Sequence, residues 1–207
     1  MVEIASNLNP RRLGLAAWTC VMLSVVAACV GSGQAEAATY TWNGGGFGSW
    51  DTPSSWLPAT GLPNGVADVA RIVPGASSPT IVLLNSSVTV RELELDTAAF
   101  IELQGTGALT FDGGSLDADI VATQGSHLIS TSVTLAAPTQ IDVAAGALVD
   151  VLGPLDLAGL EHVKAGDGQL RIDGSATSAA GSLSGRGGVI GGAGTLGGSL
   201  KNESSEI

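Results

Sequence analysis

The chain is divided into short segments in which apolar and polar residues alternate, and this pattern restricts the fold more than any other feature of the sequence. Residues 88–90, 93–95 and 141–143 each place one polar or acidic residue between two aliphatic ones. Glycine, proline or serine bounds such segments within a few positions, and a period of two residues is typical of β-strands. No uninterrupted helical pattern occurs in residues 66–200. The sequence therefore predicts an all-β fold with short strands and very little helix.

The side chains available for a core favour a solenoid over a two-layer sandwich or a closed barrel. After Trp56 the chain has only two more aromatic residues, Phe100 and Phe111, whereas sandwiches and small barrels commonly fill a thick core with large rings. The thin interior of a solenoid suits valine, leucine, isoleucine and alanine. We therefore predict a parallel β-helix of about five to six coils.

Internal similarity indicates the same architecture. Three of the predicted strands are preceded by the same motif, glycine followed by any residue and then leucine, which begins at Gly107, Gly146 and Gly168. These intervals fit a degenerate repeat of about 20 to 24 residues per coil. The glycine-rich residues 181–200 have the composition of a flexible linker. Apolar residues nevertheless recur regularly in this segment, so we predict that the solenoid continues through residue 200.

The acids at strand centres are expected to point outward, where they keep the surface soluble and oppose lateral pairing of strands. An alternative function for some of them is calcium binding. Asp117 and Asp119, together with Asp142 from an adjacent coil, would share Ca²⁺ through their carboxylate oxygens. The ligand-dense spacing of a dedicated calcium loop is absent from the sequence, so our first prediction is that the protein has no cofactor.

The net charge of the chain limits the classes of molecule that it can bind. Eight basic residues face nineteen acids, for a formal net charge of −11. A nucleic-acid partner needs a basic surface, so this class is excluded. The same balance disfavours other anionic partners unless cations bridge the contact.

The N-terminal segment has the pattern of an export signal. Arg11 and Arg12 precede an uncharged apolar run over residues 13–30, and small residues at Ala35 and Ala37 follow. We predict cleavage near Ala37 or Ala38, so residues 1–38 are the signal peptide and the mature protein is exported to the periplasm, outer surface or medium.

Two alternatives for this segment remain. The apolar run is long enough for an uncleaved membrane anchor, and residues 26–29 match a bacterial lipobox in which Cys29 would carry the lipid. Both cysteines, Cys20 and Cys29, precede the predicted cleavage point. The mature chain would then contain no disulfide and no transmembrane helix, and its stability would come from packing and backbone hydrogen bonds alone.

Residues 39–65 are rich in tryptophan and glycine and lack the alternating pattern of the repeats. Residues 41–51 read TWNGGGFGSWD and residues 55–56 read SW, and an Asn-Gly-Val-Ala-Asp stretch follows at residues 64–68. This region resembles the opening of bacterial exported surface proteins with autotransporter-associated β-strand repeats, including passenger-like and PEP-CTERM-type proteins. Residues 191–202 resemble the glycine-threonine-leucine-glycine-glycine stretch near the end of such repeats, without the final proline-glycine turn.

The resemblance implies a right-handed parallel β-helix displayed outside the cell as a stalk, an adhesin or another surface module, and it implies no reaction. Surface glycans and other surface proteins are the partners it suggests. From the residues themselves we divide the mature chain into an N-terminal cap at residues 39–65, a solenoid at residues 66–200 and a truncated end at residues 201–207. The chain would then belong to a longer polypeptide.

Three tryptophans within the cap have two alternative functions. Trp42, Trp50 and Trp56 would cover the open end of the first coil, since the intervening glycines let the backbone fold tightly against large rings. Alternatively, exposed and coplanar rings would stack on sugars and form a carbohydrate-binding platform. We predict the cap.

A polysaccharide-degrading β-helix is the catalytic alternative, and it would need converging carboxylates with a basic residue. Its candidates are Asp112, Asp117, Asp119, Asp142, His127, Arg91 and Arg171. The two histidines, His127 and His162, are not in a ligand-spaced cluster, and we expect both to be ordinary surface residues. We therefore predict a non-catalytic structural or adhesin-like module.

Overall fold

The structure is a computed structural model that describes residues 37–73, 79–175 and 180–203. The export signal, apart from Ala37 and Ala38, and the lipidation candidate Cys29 lie outside the described residues. Within those residues no helix is long and apolar enough to cross a membrane.

Nineteen short strands and one 3-10 turn, at Pro53–Ser55, make up the regular structure of the described residues. The strands in chain order are β1 (Thr39–Trp42), β2 (Phe47–Ser49), β3 (Trp56–Leu57), β4 (Gly65–Ile72), β5 (Thr80–Leu83), β6 (Val88–Asp96), β7 (Ile101–Gln104), β8 (Ala108–Phe111), β9 (Ala118–Gln124), β10 (Ser126–Ile129), β11 (Ser132–Leu135), β12 (Thr139–Val143), β13 (Leu148–Val151), β14 (Leu155–Asp156), β15 (Glu161–Ala165), β16 (Gln169–Ile172), β17 (Ser182–Gly185), β18 (Val189–Gly191) and β19 (Ser199–Asn202).

The strands of successive turns of the chain line up in three parallel faces. Face 1 contains β1, β4, the second half of β6, β9, β12, β15, β17 and β19, and face 2 contains β2, β5, β7, β10, β13, β16 and β18. Face 3 contains the first half of β6 with β8, β11 and β14, so β6 runs from one face into another. Nearly all pairings are parallel, which confirms the predicted β-helix, with about five turns.

Buried side chains stack in register along the inside of each face. On face 2, Val82, Leu103, Ile129, Val151 and Ile172 form one continuous column, and all five are buried. The residues between them point outward. Because successive parallel strands lie about 4.8 Å apart, each aliphatic side chain contacts the ones above and below it. This stacking is the thin core expected from the scarcity of aromatic residues.

The coil length varies more than the repeat in the sequence predicts. On face 1, Leu93 pairs with Ile120, whereas Gly185 pairs with Asn202, so the first of these coils is much longer than the second. The long coil contains an extra turn at residues 112–117, closed by an antiparallel bridge between Gly113 and Leu116. Strand β19 also continues to Asn202, past residue 200, the predicted end of the solenoid.

The glycine-x-leucine motif does not mark equivalent positions on successive coils. Leu109 follows Gly107 on face 3, while Gly146 and Gly168 precede strands of face 2. Leu148 pairs with Gln169 and points outward, whereas the apparently equivalent Leu170 pairs with Val149 and points inward. Glycines recur for a different reason, namely close passage over the preceding coil. At Gly105, which has φ +142°, a Cβ atom would lie 2.0 Å from the Leu84 carbonyl oxygen.

Candidate functional site

The three tryptophans lie against one another at the N-terminal end of the described solenoid. Trp42 and Trp56 meet edge to face with ring centroids 5.1 Å apart, and Trp50 and Trp56 do so at 4.7 Å. Trp50 and Trp56 are fully buried, and Trp42 is 6% exposed. The rings therefore present no coplanar, accessible surface on which a sugar could stack.

Backbone groups fix the position of each indole. Trp50 Nε1 donates to the Pro63 carbonyl at 3.0 Å, and Trp56 Nε1 donates to the Trp50 carbonyl at 2.8 Å. Strand β1 adds to face 1 in parallel with β4, and β2 adds to face 2 in parallel with β5. The short strand β3 then pairs antiparallel with the outer side of β1. The tryptophan segment is thus a first rung of the helix whose outer edge on face 1 is occupied by a two-residue strand.

A cluster of charged side chains lies where faces 3 and 1 meet, and we call Arg91, Glu92 and Asp119 the Arg91 cluster. Arg91 Nη2 donates to Glu92 Oε2 at 2.6 Å, and Arg91 Nη1 lies 3.5 Å from Asp119 Oδ2. Glu92 and Asp119 are register partners on adjacent coils and both point outward. This is the only place in the described residues where two of the predicted catalytic candidates, Arg91 and Asp119, form an ion pair.

The environment of the cluster raises the pKa of both carboxyl groups. Partial burial raises the pKa of Glu92, and Arg91 opposes the shift. Partial burial also raises the pKa of Asp119; Arg91 opposes this shift and the nearby Asp117 adds to it. A pair of adjacent carboxyl groups with raised pKa values is suited to general acid and base catalysis. Glu92 was missed in the sequence because it looked like one more solubilising acid at a strand centre.

The remaining candidates are dispersed. Asp112 accepts a hydrogen bond from the Gly114 amide inside the extra turn, and Asp142 pairs with Val121 and Ala165, so it is not opposite Asp119. Arg171 is on face 2, 3.7 Å from Asp150. Within the described part of the chain no three acidic, histidine or cysteine side chains are grouped to hold a metal ion. The shared calcium site therefore stays a prediction without a supporting contact.

Both histidines point into the core, which corrects the expectation of surface positions. His127 and His162 are each 1% exposed. His127 lies in the second inner column of face 2, between Ile101 and Val149. Neither histidine is therefore available to a ligand on the surface.

Lys164 is the most unusual inward-facing residue and was not singled out from the sequence. It follows Ala70, Leu93, Ile120 and Ile141 in an inner column of face 1 and is fully buried. Its ammonium donates to the carbonyl oxygens of residues 166, 168 and 187, the last two at 2.8 and 2.9 Å. Residue 187 belongs to the next coil. Burial lowers the Lys164 pKa, and Asp142 and Asp167 oppose that shift.

The other basic residues of the described chain also connect different coils. Arg71 pairs with Glu94, Arg91 with Asp119, Arg171 with Asp150, Arg186 with Glu203 and Lys201 with Glu161. In each of these pairs the acid belongs to a different coil from the basic residue. Arg91 and Arg171 also make shorter contacts within their own coils, with Glu92 and Asp173. Every basic side chain among the described residues is therefore engaged in a contact that runs along the solenoid axis.

Comparison of the chain with protein-family models, with curated proteins and with solved structures finds no match.

Proposed function

We propose that the mature chain is a non-catalytic structural module of an exported surface protein, a stalk-like or adhesin-like spacer. The observation that carries this proposal is the use of the basic side chains. Arg71, Arg91, Arg171, Arg186 and Lys201 each join acids of another coil, and Lys164 joins the turns of two coils from inside. These contacts run along the axis of the rod, and the buried Lys164 is the one that we expect to contribute most to joining the coils.

The outer surface supports the same function. Acids such as Glu102, Asp142 and Asp156 project from separate faces, which gives the rod a solvated anionic exterior. A spacer needs such a surface because it must resist lateral association of its strands. Surface glycans or other surface proteins are the partners we propose for it, by contact along these faces.

Export is tested by expressing the whole chain in a Gram-negative bacterium and sequencing the N-terminus of the product. Cleavage after Ala37 or Ala38 gives a mature protein that begins at Ala38 or Thr39. Replacement of both Ala37 and Ala38 by arginine should abolish this cleavage, because signal peptidase requires a small residue immediately before the cut. The Cys29→Ser variant is the control for lipidation and should be processed like the wild type. A product that keeps Met1 and stays in the cytoplasm would refute the proposal.

A polysaccharide-degrading enzyme is the second candidate, and the Glu92–Asp119 pair is the observation that favours it. The mature protein is incubated with a panel of neutral and acidic polysaccharides, and new reducing ends and unsaturated sugars are measured. A structural module produces neither. Activity that is lost in Glu92→Gln and Asp119→Asn but kept in the matched control Glu102→Gln, which alters an outward acid on face 2, would establish the enzyme instead.

A further inference from the structure

The two buried histidines are the only histidines in the chain, and both occupy inward positions of the solenoid, where most side chains are aliphatic. His127 lies on β10, and His162 lies on β15, where it pairs with Leu183 of the next coil. Imidazole is the side chain whose unperturbed pKa lies closest to physiological pH. A change in the charge of either group would therefore alter the packing of the coils.

The hydrogen bonds of His162 fix its neutral form. Its Nδ1 atom accepts a hydrogen bond from the Thr139 amide at 3.2 Å, so Nδ1 carries no proton. The proton is on Nε2, which donates to the Leu157 carbonyl at 3.0 Å. A second proton on Nδ1 would face the Thr139 N–H group. Protonation therefore breaks the contact between β12 and β15 at this point.

His127 has one hydrogen-bond partner only. Its Nε2 atom lies 2.7 Å from the Gln124 carbonyl oxygen and donates to it. Its Nδ1 atom is buried and has no hydrogen-bond partner among the described residues. Protonation would place an unpaired N–H donor and a positive charge between Ile101 and Val149. That state is costly in an apolar interior.

The groups that face the histidines offer no compensating negative charge. His162 shares its inward face with the cationic Lys164, and its neighbours on β12 and β17 are Thr139 and Leu183. The interior of the central coils is lined by aliphatic residues. The carboxylates on the strands packed against the histidines, Glu102, Asp142 and Asp150, are at outward positions.

We propose that His127 and His162 make the central coils, from β9 to β15, an acid-sensitive segment whose opening becomes more frequent as the pH falls below about 6.5. The module would then be rigid in neutral surroundings and would loosen on acidification. No ligand is needed for the transition, because the proton itself binds preferentially to the opened chain.

The sign of the effect follows from linkage. Burial lowers the pKa of both histidines below the ordinary 6.5, so the opened chain binds the proton more tightly than the folded one. Their contribution to stability is complete above pH 6.5 and falls as the pH drops below that value, until the lowered folded-state pKa is reached. Each histidine then changes the opening equilibrium by up to about tenfold per pH unit.

Carboxyl groups act differently in this range. The raised pKa values of Glu92, Asp119 and Asp150 mean that protonation of these acids stabilises the fold as the pH falls, which is opposite in sign. The lowered pKa values of Asp96, Glu161 and Glu203 remove stability only as the pH approaches and passes below their ordinary values of 3.8 to 4.5. Burial lowers the pKa of Lys164 as well, and this shift has the same sign as that of the histidines. Because Lys164 is unchanged when the histidines are replaced, a loss of stability between about pH 6.5 and 5 that disappears on their replacement is assigned to the histidines.

The experiment compares amide hydrogen exchange of the mature protein at pH 7.5, 6.5, 5.5 and 5.0, corrected for the intrinsic pH dependence of exchange, in four forms. These are the wild type, His127→Leu, His162→Asn and the double variant. Leucine fits the aliphatic column, and the asparagine side-chain oxygen can still accept from the Thr139 amide. We expect the opening equilibrium of β10, β12 and β15 in the wild type to rise at least about tenfold from pH 6.5 to 5.5. The double variant should show no rise, and each single variant should show part of it.

An equal rise in the wild type and the double variant would overturn the proposal. A second measurement keeps the test decisive if a variant does not fold: NMR titration of the imidazole protons in the wild type. Imidazoles that stay neutral in the folded chain while amide exchange in β12 and β15 becomes faster below about pH 6.5 support the proposal. Imidazoles that titrate near their ordinary pKa while the amides of β12 and β15 stay protected refute it.

Discussion

Truncating Trp56 to alanine is expected to lower the free energy of unfolding by about 3 to 5 kcal/mol, the range for removal of a buried aromatic ring. The indole is fully buried, contacts both Trp42 and Trp50, and donates a hydrogen bond to the Trp50 carbonyl. The surrounding rung cannot close over the cavity, because Trp42 and Trp50 are themselves held by backbone carbonyls. Urea unfolding followed by circular dichroism measures the change.

Two variants separate packing from polarity in this cluster. Trp56→Phe keeps a ring but loses the hydrogen bond, and we expect a smaller loss of about 1 to 2 kcal/mol. Phe47→Ala is the matched control, because this aromatic side chain of the same rung is 64% exposed. It should cost less than about 0.5 kcal/mol. A Trp56→Ala protein as stable as the wild type would show that the indoles do not hold the first rung.

Replacing Lys164 by methionine is expected to cost about 2 to 4 kcal/mol, because three backbone carbonyls lose a charged donor at once. Methionine fills a similar volume, so the loss reports hydrogen bonding more than a cavity. A buried ion pair is often replaced by apolar residues without loss, but here the partners are carbonyl oxygens of residues 166, 168 and 187, which no substitution removes. Urea unfolding of the two proteins gives the difference.

The matched control is Lys201→Met. Lys201 makes an exposed pair with Glu161, 2.9 Å away, and exposed pairs contribute little to stability. We expect no measurable loss of stability from this variant. Equal effects of the two lysine variants would mean that the interior ammonium does not join the coils.

The fold class could be predicted because alternation and the choice of core residues are local properties of the sequence. Period-two segments identified the strands, and the scarcity of rings identified a thin core. Inward and outward positions were also correct for acids such as Glu94 and Asp142, since each lies between two aliphatic residues.

The same reasoning failed at β15 because alternation fixes only which residues share a face, and not which face is inside. In the His162-Val163-Lys164 stretch the apolar Val163 points outward, while the histidine and the lysine point inward. Pairing with the coil before decides this, since Lys164 is the register partner of Ile141. The inward position of Lys164 could have been found from its spacing, because it lies one coil length after the buried Ile141.

Two members of the Arg91 cluster could be predicted from the sequence, but their contact could not. Arg91 and Asp119 were both candidates, but their contact depends on the path of β6 across two faces and on a coil lengthened by the extra turn. Neither feature follows from local propensity. Glu92 joins the cluster through register alone, so its partner on the next coil could not be identified before the coil lengths were known.

The stacking of one coil on the next is tested most directly by distances between spin labels along one outer column. Ile81, Leu128, Asp150 and Arg171 occupy equivalent outward positions on face 2, and the last three lie two, three and four strand spacings from Ile81. Labels on cysteines at Ile81 and at each of the other three in turn should give backbone separations of about 10, 14 and 19 Å, since each coil adds about 4.8 Å. Separations that fail to increase in even steps with coil number, as in a sandwich of antiparallel hairpins, would contradict the solenoid.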